Sequence, residues 1–243
     1  MEPKDRGGRL WPHTQLMTMF NARYPLQLVP SPAGAAAFIQ SAPPPMTPYQ
    51  DPTSARAYAE ATRDADLSHV RSRFLGHLPE RSDGTQHILD LGCGSGRDSL
   101  AFRQAGYRVE AIEAYPAMAG VAREYAEVPV RVLRAQELED RGVYDGIWAC
   151  ASLLHVPWDE LPDVFRRLEN ALRPGGVLYV SFKPGQGERT VGDGRHFTDM
   201  TRERLQDRLR DAPGLRLIET WETFDVRPER AGEPWFNALL RRD

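Results

Sequence analysis

The segment His87-Ile88-Leu89-Asp90-Leu91-Gly92-Cys93-Gly94-Ser95-Gly96-Arg97-Asp98-Ser99 constrains the fold more than any other part of the chain. A short apolar run, three alternating glycines and then a helical pattern read as a strand, a tight turn and a helix. In a doubly wound sheet the first such turn lies at the switch point, where ligands bind beyond the carboxyl ends of the strands. Gly92, Gly94 and Gly96 allow the turn and let a ligand approach the main chain. Glu113 closes the next strand, 21 residues past Gly92. A carboxylate there can accept both hydroxyls of a ribose. A dinucleotide loop reads G-x-G-x-x-G, which would put its third glycine at Arg97. Here the spacing is G-x-G-x-G, and an acid, Asp90, stands two residues before the first glycine. That acid suits a ligand carrying an ammonium group as well as a ribose.

The rest of the chain supports an α/β reading. Leu67, Val70, Phe74 and Leu78 recur at helical spacing, so 54–78 is expected to be an amphipathic helix broken at most once. Short apolar strands are expected at 88–91, 107–112, 129–133, 144–149 and 177–182, and two more near 215–223 and 235–241. Helices are expected over 97–105, 116–125, 161–172 and 201–211, the third stopping at Arg173-Pro174-Gly175-Gly176. Repeated β-α with buried strands implies a doubly wound, mainly parallel seven-stranded sheet with helices on both faces. The 243 residues suit one domain, or one domain plus an arm. Nine prolines fall in residues 1–48, so 1–49 reads as a proline-rich N-terminal arm and 50–243 as the domain. An apolar patch, Trp11, Leu16, Met17, Met19, Phe20, Tyr24 and Leu26, makes the arm a candidate contact with the body or with a second subunit, giving a homodimer. The alternative is a disordered tail.

S-Adenosylmethionine (SAM) has an ammonium, a ribose diol and an adenine, and the motifs now converge on it. Asp90-Leu91-Gly92-Cys93-Gly94-Ser95-Gly96 resembles the first motif of the class I SAM-dependent methyltransferases. Val109 to Met118 resembles their second, with Glu113 where many members have Asp. Tyr144-Asp145-Gly146-Ile147-Trp148-Ala149 resembles their fourth strand, and Leu172 to Leu178 the turn before the fifth. Gly96-Arg97-Asp98-Ser99-Leu100 is similar to the loop of tellurite-resistance-type methyltransferases. The resemblance covers roughly 50–243 and implies a Rossmann-like methyltransferase fold with SAM as cofactor. It places Gly92 and Gly94 against the methionyl part, Asp90 at the ammonium and Glu113 on the ribose hydroxyls. Ala114 and Met118 would flank the adenine, with Ala135 and Gln136 at its edge and Ala149 at the end of the fourth strand. Arg134 stands where many members have an Asp that reads the adenine amino group. Arg97 and Tyr58 are candidates for the SAM carboxylate, against a solvent-facing arginine and plain packing.

Three places could face the acceptor. His155 follows the fourth strand and is the candidate general base or polar anchor, against a structural histidine that caps a turn. The segment Gly192-Asp193-Gly194-Arg195-His196-Phe197-Thr198 offers a cation, an imidazole and a ring, with Arg195 a second catalytic candidate and His196 and Phe197 substrate-binding ones. Its alternative is an ordinary hairpin or αβ connection. Trp221, Arg227 and Trp235, with Phe224, Asp225 and Arg230, form the third, against core packing and exposed arginines.

Net charge is -3, with 29 of the 31 cations arginine, so no global attraction to nucleic acid or an anionic membrane is expected. Two cysteines form no metal motif, and the histidines show no ligand spacing, so no metal is expected. The expected partner is a small-molecule substrate, and the expected location the cytoplasm, since no signal-like or membrane-length apolar run is read. An RNA or protein methyltransferase, and an enzyme closing a ring by internal displacement on a sulfonium adduct, stay open as alternatives.

Overall fold

The computed structural model describes residues 47–82 and 84–243, and the backbone of two short strands, Gln27–Val29 and Ala37–Ile39, that pair antiparallel. The chain divides into two units, Met1–Pro45 and Met46–Asp243. The patch from Trp11 to Leu26 lies outside the described residues. All that follows concerns the second unit.

Asp51 starts the first helix. Its carboxylate accepts a hydrogen bond from the Ser54 N–H at 2.9 Å, and Pro52 occupies a first-turn position where a missing N–H costs nothing. Helix α1 is Pro52–Arg63 and α2 is Ser68–Leu75, so the expected helix over 54–78 is broken once, around 64–67. Strand β1 (His87–Leu91) leads through the glycine loop into α3 (Arg97–Gln104). Then come β2 (Arg108–Glu113), α4 (Pro116–Ala126), β3 (Val130–Val132), β4 (Tyr144–Ala149), α5 (Leu161–Ala171) and β5 (Leu172–Phe182). A small hairpin, β6 (Glu188–Thr190) and β7 (His196–Thr198), precedes α6 (Arg202–Arg208), β8 (Leu215–Phe224) and β9 (Pro234–Arg242).

Seven strands form one sheet in the order β8-β9-β5-β4-β1-β2-β3. The pairs from β5 to β3 are parallel, and β9 is antiparallel to both β5 and β8. The chain runs outward from β1 to β3 and then restarts at β4 on the other side of β1. That reversal opens a crevice at the carboxyl ends of β1 and β4.

Alternation along the strands divides the core. Leu89, Leu91, Ile147, Ala149, Leu178 and Val180 join α5 and α6 on one face. Ile88, Trp148, Val177 and Tyr179 join Phe74 of α2, Phe102 of α3 and Ala119 and Ala122 of α4 on the other. Helix α1 packs Ala55 and Ala59 on Met118 and Val121 of α4, which carries it to the edge of the crevice.

The start of β5 differs from expectation. Tyr144 pairs with Leu172 and Gly146 with Val177, so Arg173–Gly176 bulges out of the strand opposite Asp145. Arg173 Nη1 donates to the buried Asp145 carboxylate at 2.8 Å and fixes the bulge. The proline and glycines therefore interrupt pairing without ending the strand. The expected helix over 201–211 is α6 followed by a 3₁₀ turn at Leu209–Asp211.

Candidate active site

A cavity of about 340 Å³ opens at the carboxyl ends of the parallel strands. Tyr58, Asp90, Gly92, Gly94, Arg97, Glu113, Ala114, Met118, Ala135 and Gln136 all line it, and so do His155, Arg195, Phe197, Arg227 and Trp235. The structure thus gathers most residues singled out in the sequence into one space.

The glycine loop is built by backbone geometry. Gly92 has φ +70°, and a Cβ there would lie 2.1 Å from Ser152 Oγ, so both conformation and contact demand glycine. Gly94 has φ +54° with nothing within 4 Å of its would-be Cβ. Its bare main chain fronts the cavity, and its N–H donates to Glu113 Oε2 at 3.1 Å. Tyr115 N–H donates to Glu113 Oε1 at 3.2 Å. These bonds aim the carboxylate from the end of β2, although burial still pushes its pKa up.

Asp90 is buried on β1 and accepts a hydrogen bond from Ser99 Oγ. Burial and the nearby Asp98 carboxylate push its pKa up to about 7. Asp98 is 5% exposed and has the opposite balance. Burial raises it, but Arg97, Arg71 at 2.7 Å and Trp148 Nε1 at 3.0 Å together hold it below the ordinary value. Arg97 gives Nη2 to Asp98 at 2.7 Å and Nη1 to the Thr62 carbonyl at 3.4 Å. Its guanidinium is therefore committed to the protein on two sides.

These groups fit SAM. Open space over Gly94 accepts an approaching ligand, a buried carboxylate stands at the end of β2, and Asp90 gains a partner for its ionised form from an ammonium. Ala114, Met118 and Ala135 offer apolar walls for a flat base. Arg134 turns to Glu137, with Nη2 3.1 Å from Oε1. Gln136 Nε2 donates to Glu160 at 2.7 Å.

The remaining wall carries His155, Arg195, Phe197, Arg227 and Trp235. His155 sits in a 3₁₀ turn, Leu153–His155, after β4. Its Nδ1 lies 2.7 Å from the His196 carbonyl oxygen, so Nδ1 carries the proton and donates it. Nε2 then keeps its lone pair, and among the described residues nothing hydrogen-bonds it. Burial pushes the imidazole pKa down, with the hydrogen bond to the His196 carbonyl opposing the shift and the Arg195 charge assisting it. Phe197 stands edge-on to the His155 ring at 5.0 Å and Tyr49 at 6.0 Å. Arg227 and Trp235 Nε1 both donate to Asp225, at 2.8 Å and 3.2 Å. Burial opposes this carboxylate's charge, but the Arg227 bonds outweigh it and lower the pKa to about 2. Lys183 Nζ lies 4.0 Å over the Trp235 ring and pairs with Glu233.

Three expected residues are not brought into the cavity. The His196 imidazole turns to Glu188 and Thr198, each 3.1 Å from Nε2, because β7 pairs with β6 there; only its carbonyl serves the site, through His155. Trp221 packs against Tyr179 and lies under Arg73 on the helix-covered face of β8. Ala149 is buried at the end of β4, and the chain reaches the cavity one and two residues later, at Cys150 and Ala151. Tyr49, Asp98 and Lys183 line the cavity and were not foreseen. Tyr49 stands two residues before the Asp51-Pro52 helix start, a signal that the proline density around it hides.

Comparison with known proteins agrees with this geometry. Residues 88–176 match the family described as a methyltransferase domain. The ubiquinone biosynthesis O-methyltransferase of Xanthomonas campestris is 36% identical over 101 residues, covering 39% of this chain and 41% of that protein. The malonyl-[acyl-carrier protein] O-methyltransferase of Serratia marcescens is 31% identical over 145 residues, covering 57% and 56%. The chain thus spans roughly half the length of these curated relatives. A SAM-dependent methyltransferase structure from Methanosarcina mazei superposes with TM-score 0.60 at 18% identity, covering 69% of this chain and 95% of that one. A TehB-like SAM-dependent methyltransferase from Corynebacterium glutamicum gives 0.57 at 20%, covering 79% and 100%. These two share the fold of this chain, and the sequence match places a methyltransferase-domain signature on residues 88–176, the stretch that carries the glycine loop and Glu113.

Proposed function

We propose that this chain transfers a methyl group from SAM to a hydroxyl of a small-molecule acceptor in the cytoplasm. One observation carries the reading: the Gly94 cradle and Glu113 open into the same cavity as His155, whose Nδ1–H is fixed on a backbone carbonyl. Glu113 holds the ribose hydroxyls, Asp90 the ammonium, and Ala114, Met118 and Ala135 the adenine. When bound, SAM supplies a methyl carbon that the acceptor oxygen attacks in line, the C–S electron pair leaving on the neutral thioether S-adenosylhomocysteine (SAH). His155 takes the hydroxyl proton at Nε2 while the His196 carbonyl steadies the ring. Tyr49 and Phe197 screen this proton transfer from water and align the acceptor.

Support for oxygen as the nucleophile comes from this base and from the relatives named as O-methyltransferases. A small acceptor suits the net charge of -3, and no helix among the described residues is long and apolar enough to cross a membrane. The same proposal keeps the proline-rich N-terminal segment as an arm and a candidate dimer contact, with its boundary moved from 49 to before residue 46 because Tyr49 lines the cavity. The test is turnover with SAM against a panel of hydroxylated metabolites, read by mass. A gain of one methyl is expected, lowered ~10²-fold by His155→Ala at unchanged SAM affinity. Calorimetry showing NAD binding without SAM binding would refute the reading.

A further inference from the structure

Tyr49 lies outside the motifs that carry the cofactor reading, yet it touches both halves of the cavity. Its ring meets Tyr58 at 5.0 Å and Tyr115 at 5.6 Å on the cofactor side, and His155 at 6.0 Å on the other. Its hydroxyl accepts a hydrogen bond from Arg195 Nη1 at 3.3 Å. The hydroxyl hydrogen is not used in that bond. Burial pushes the phenol's pKa upward, and Tyr58 adds to the rise by repulsion and by hydrogen bonding, so the Tyr49 proton is retained and turned to Tyr58.

Arg195 is set just as firmly. Asp193 accepts from its Nε at 2.9 Å and lies 2.8 Å from Nη2, and the guanidinium sits 5.5 Å from the Phe197 ring centre. A guanidinium has five N–H donors. Nε and one hydrogen each of Nη1 and Nη2 serve Asp193 and Tyr49, which leaves two for an incoming group. The other cations of this wall are differently placed: Lys183 is paired with Glu233 and Arg227 with Asp225.

The cavity wall around Tyr49 and Phe197 therefore presents a lone pair on His155 Nε2 and hydrogen-bond donors on Arg195, whose guanidinium lies near both rings and is held by the Tyr49 hydroxyl. A ligand complementary to it is planar, gives one hydroxyl to the lone pair and offers an oxygen to the adjacent donors. We infer that Arg195, positioned by Tyr49 and Asp193, forms an oxygen-binding subsite for an acceptor whose hydroxyl is flanked by a carboxylate or carbonyl on the neighbouring carbon of a planar skeleton. This inference rests on the reading of the cavity as a methyl-transfer site and deepens it. The Tyr49 and His155 rings are neighbours, 6.0 Å apart, so the subsite favours an acceptor with adjacent oxygens over an isomer with the two at opposite ends of a ring.

The experiment is calorimetric titration of the full chain, first with SAH and then, on the SAH complex, with 2-hydroxybenzoate and 4-hydroxybenzoate. The wild type should bind the 2-isomer at least about tenfold more tightly, the scale of one added hydrogen bond to a charged group. Tyr49→Phe and Arg195→Gln should each lower 2-hydroxybenzoate affinity to about that of the 4-isomer, with SAH affinity held within about twofold. Retained SAH binding shows that the variants are folded. Equal affinities in the wild type, no binding of 2-hydroxybenzoate, or a preference that survives both variants would overturn the subsite. Failure of the wild type to bind SAH is a separate result, since it precedes the probes, and it would remove the methyl-transfer reading and the subsite with it.

Discussion

Glu113→Ala tests the cofactor half of the site in isolation. The carboxylate is 7% exposed, and its two oxygens accept one backbone N–H each, from Gly94 and Tyr115. A carboxylate has about four acceptor positions, so two remain for a ribose diol. A hydrogen bond to a charged group contributes ~1.5–3 kcal/mol. Water entering the space left by alanine recovers part of two such bonds, which leaves a loss of about one. SAH affinity should then fall by 1.5–3 kcal/mol, or roughly 10- to 150-fold in Kd. Stability should change little. Removing the side chain orphans two N–H groups at a cavity wall that water can reach, and it also removes a carboxylate whose burial costs free energy. The pH dependence follows from the raised pKa. A carboxyl raised in the folded state favours folding at low pH, and that contribution is lost as pH rises from the unfolded value through the folded one. The variant loses this slope. Calorimetry with SAH and thermal melts at pH 5 and 8 measure both effects. A variant with unchanged melting and an SAH Kd within about threefold of wild type would show that Glu113 does not hold the ribose.

Gly92→Ala should destabilise the fold by about 2 kcal/mol or more, from left-handed φ strain and the Ser152 overlap, whereas Gly94→Ala should cost about 1 kcal/mol and chiefly weaken SAH binding; thermal melts and calorimetry separate the two. Asp98→Ala should lower stability by ~3–5 kcal/mol, because it leaves Arg71 and Arg97 without their buried counter-charge, and denaturant unfolding reads it. Asp90, with a pKa of about 7, should release a proton as the cofactor ammonium binds near neutral pH; SAM titrations in buffers of different ionisation enthalpy should show it, and Asp90→Asn should abolish it. His155 has a lowered pKa, so acceptor turnover should hold through pH 6.5 and fall only below it; a profile already halved at pH 7 would refute a neutral His155 base.

The parallel core was legible because its signals are local. The apolar runs of β1, β2 and β4 and the helix periodicity between them need no tertiary information. The glycine loop and the place of Glu113 at a strand end were legible for the same reason: turn geometry and strand ends are properties of short segments. The start of β5 was misread because proline and glycine usually end pairing, and only the anchor from Arg173 to Asp145 turns them into a bulge. His196 and Trp221 show a different limit. Both have the right chemistry in the right segment, but β6 draws the His196 ring toward Glu188, and the alternation of β8 turns Trp221 to the helix-covered face. Residue type and segment were readable, while side-chain direction depended on pairing partners distant in sequence.

Asp98 shows why the loop's charges must be read together. Taken alone, Arg97 is a cation at the mouth of a cofactor site, available to a carboxylate. Beside Asp98 it becomes half of a buried network that also takes Arg71 from α2 and Trp148 from β4. That network ties the first turn of α3 to the sheet and to α2, so the glycine loop is held at both ends while its three glycines stay in left-handed conformations. It also places a negative charge near Asp90, and that repulsion helps raise the Asp90 pKa. A bound cation offsets the burial and repulsion that disfavour the ionised Asp90. A loop built this way favours a ligand with an ammonium over one with a pyrophosphate, and so the charge network makes the same discrimination as the glycine spacing.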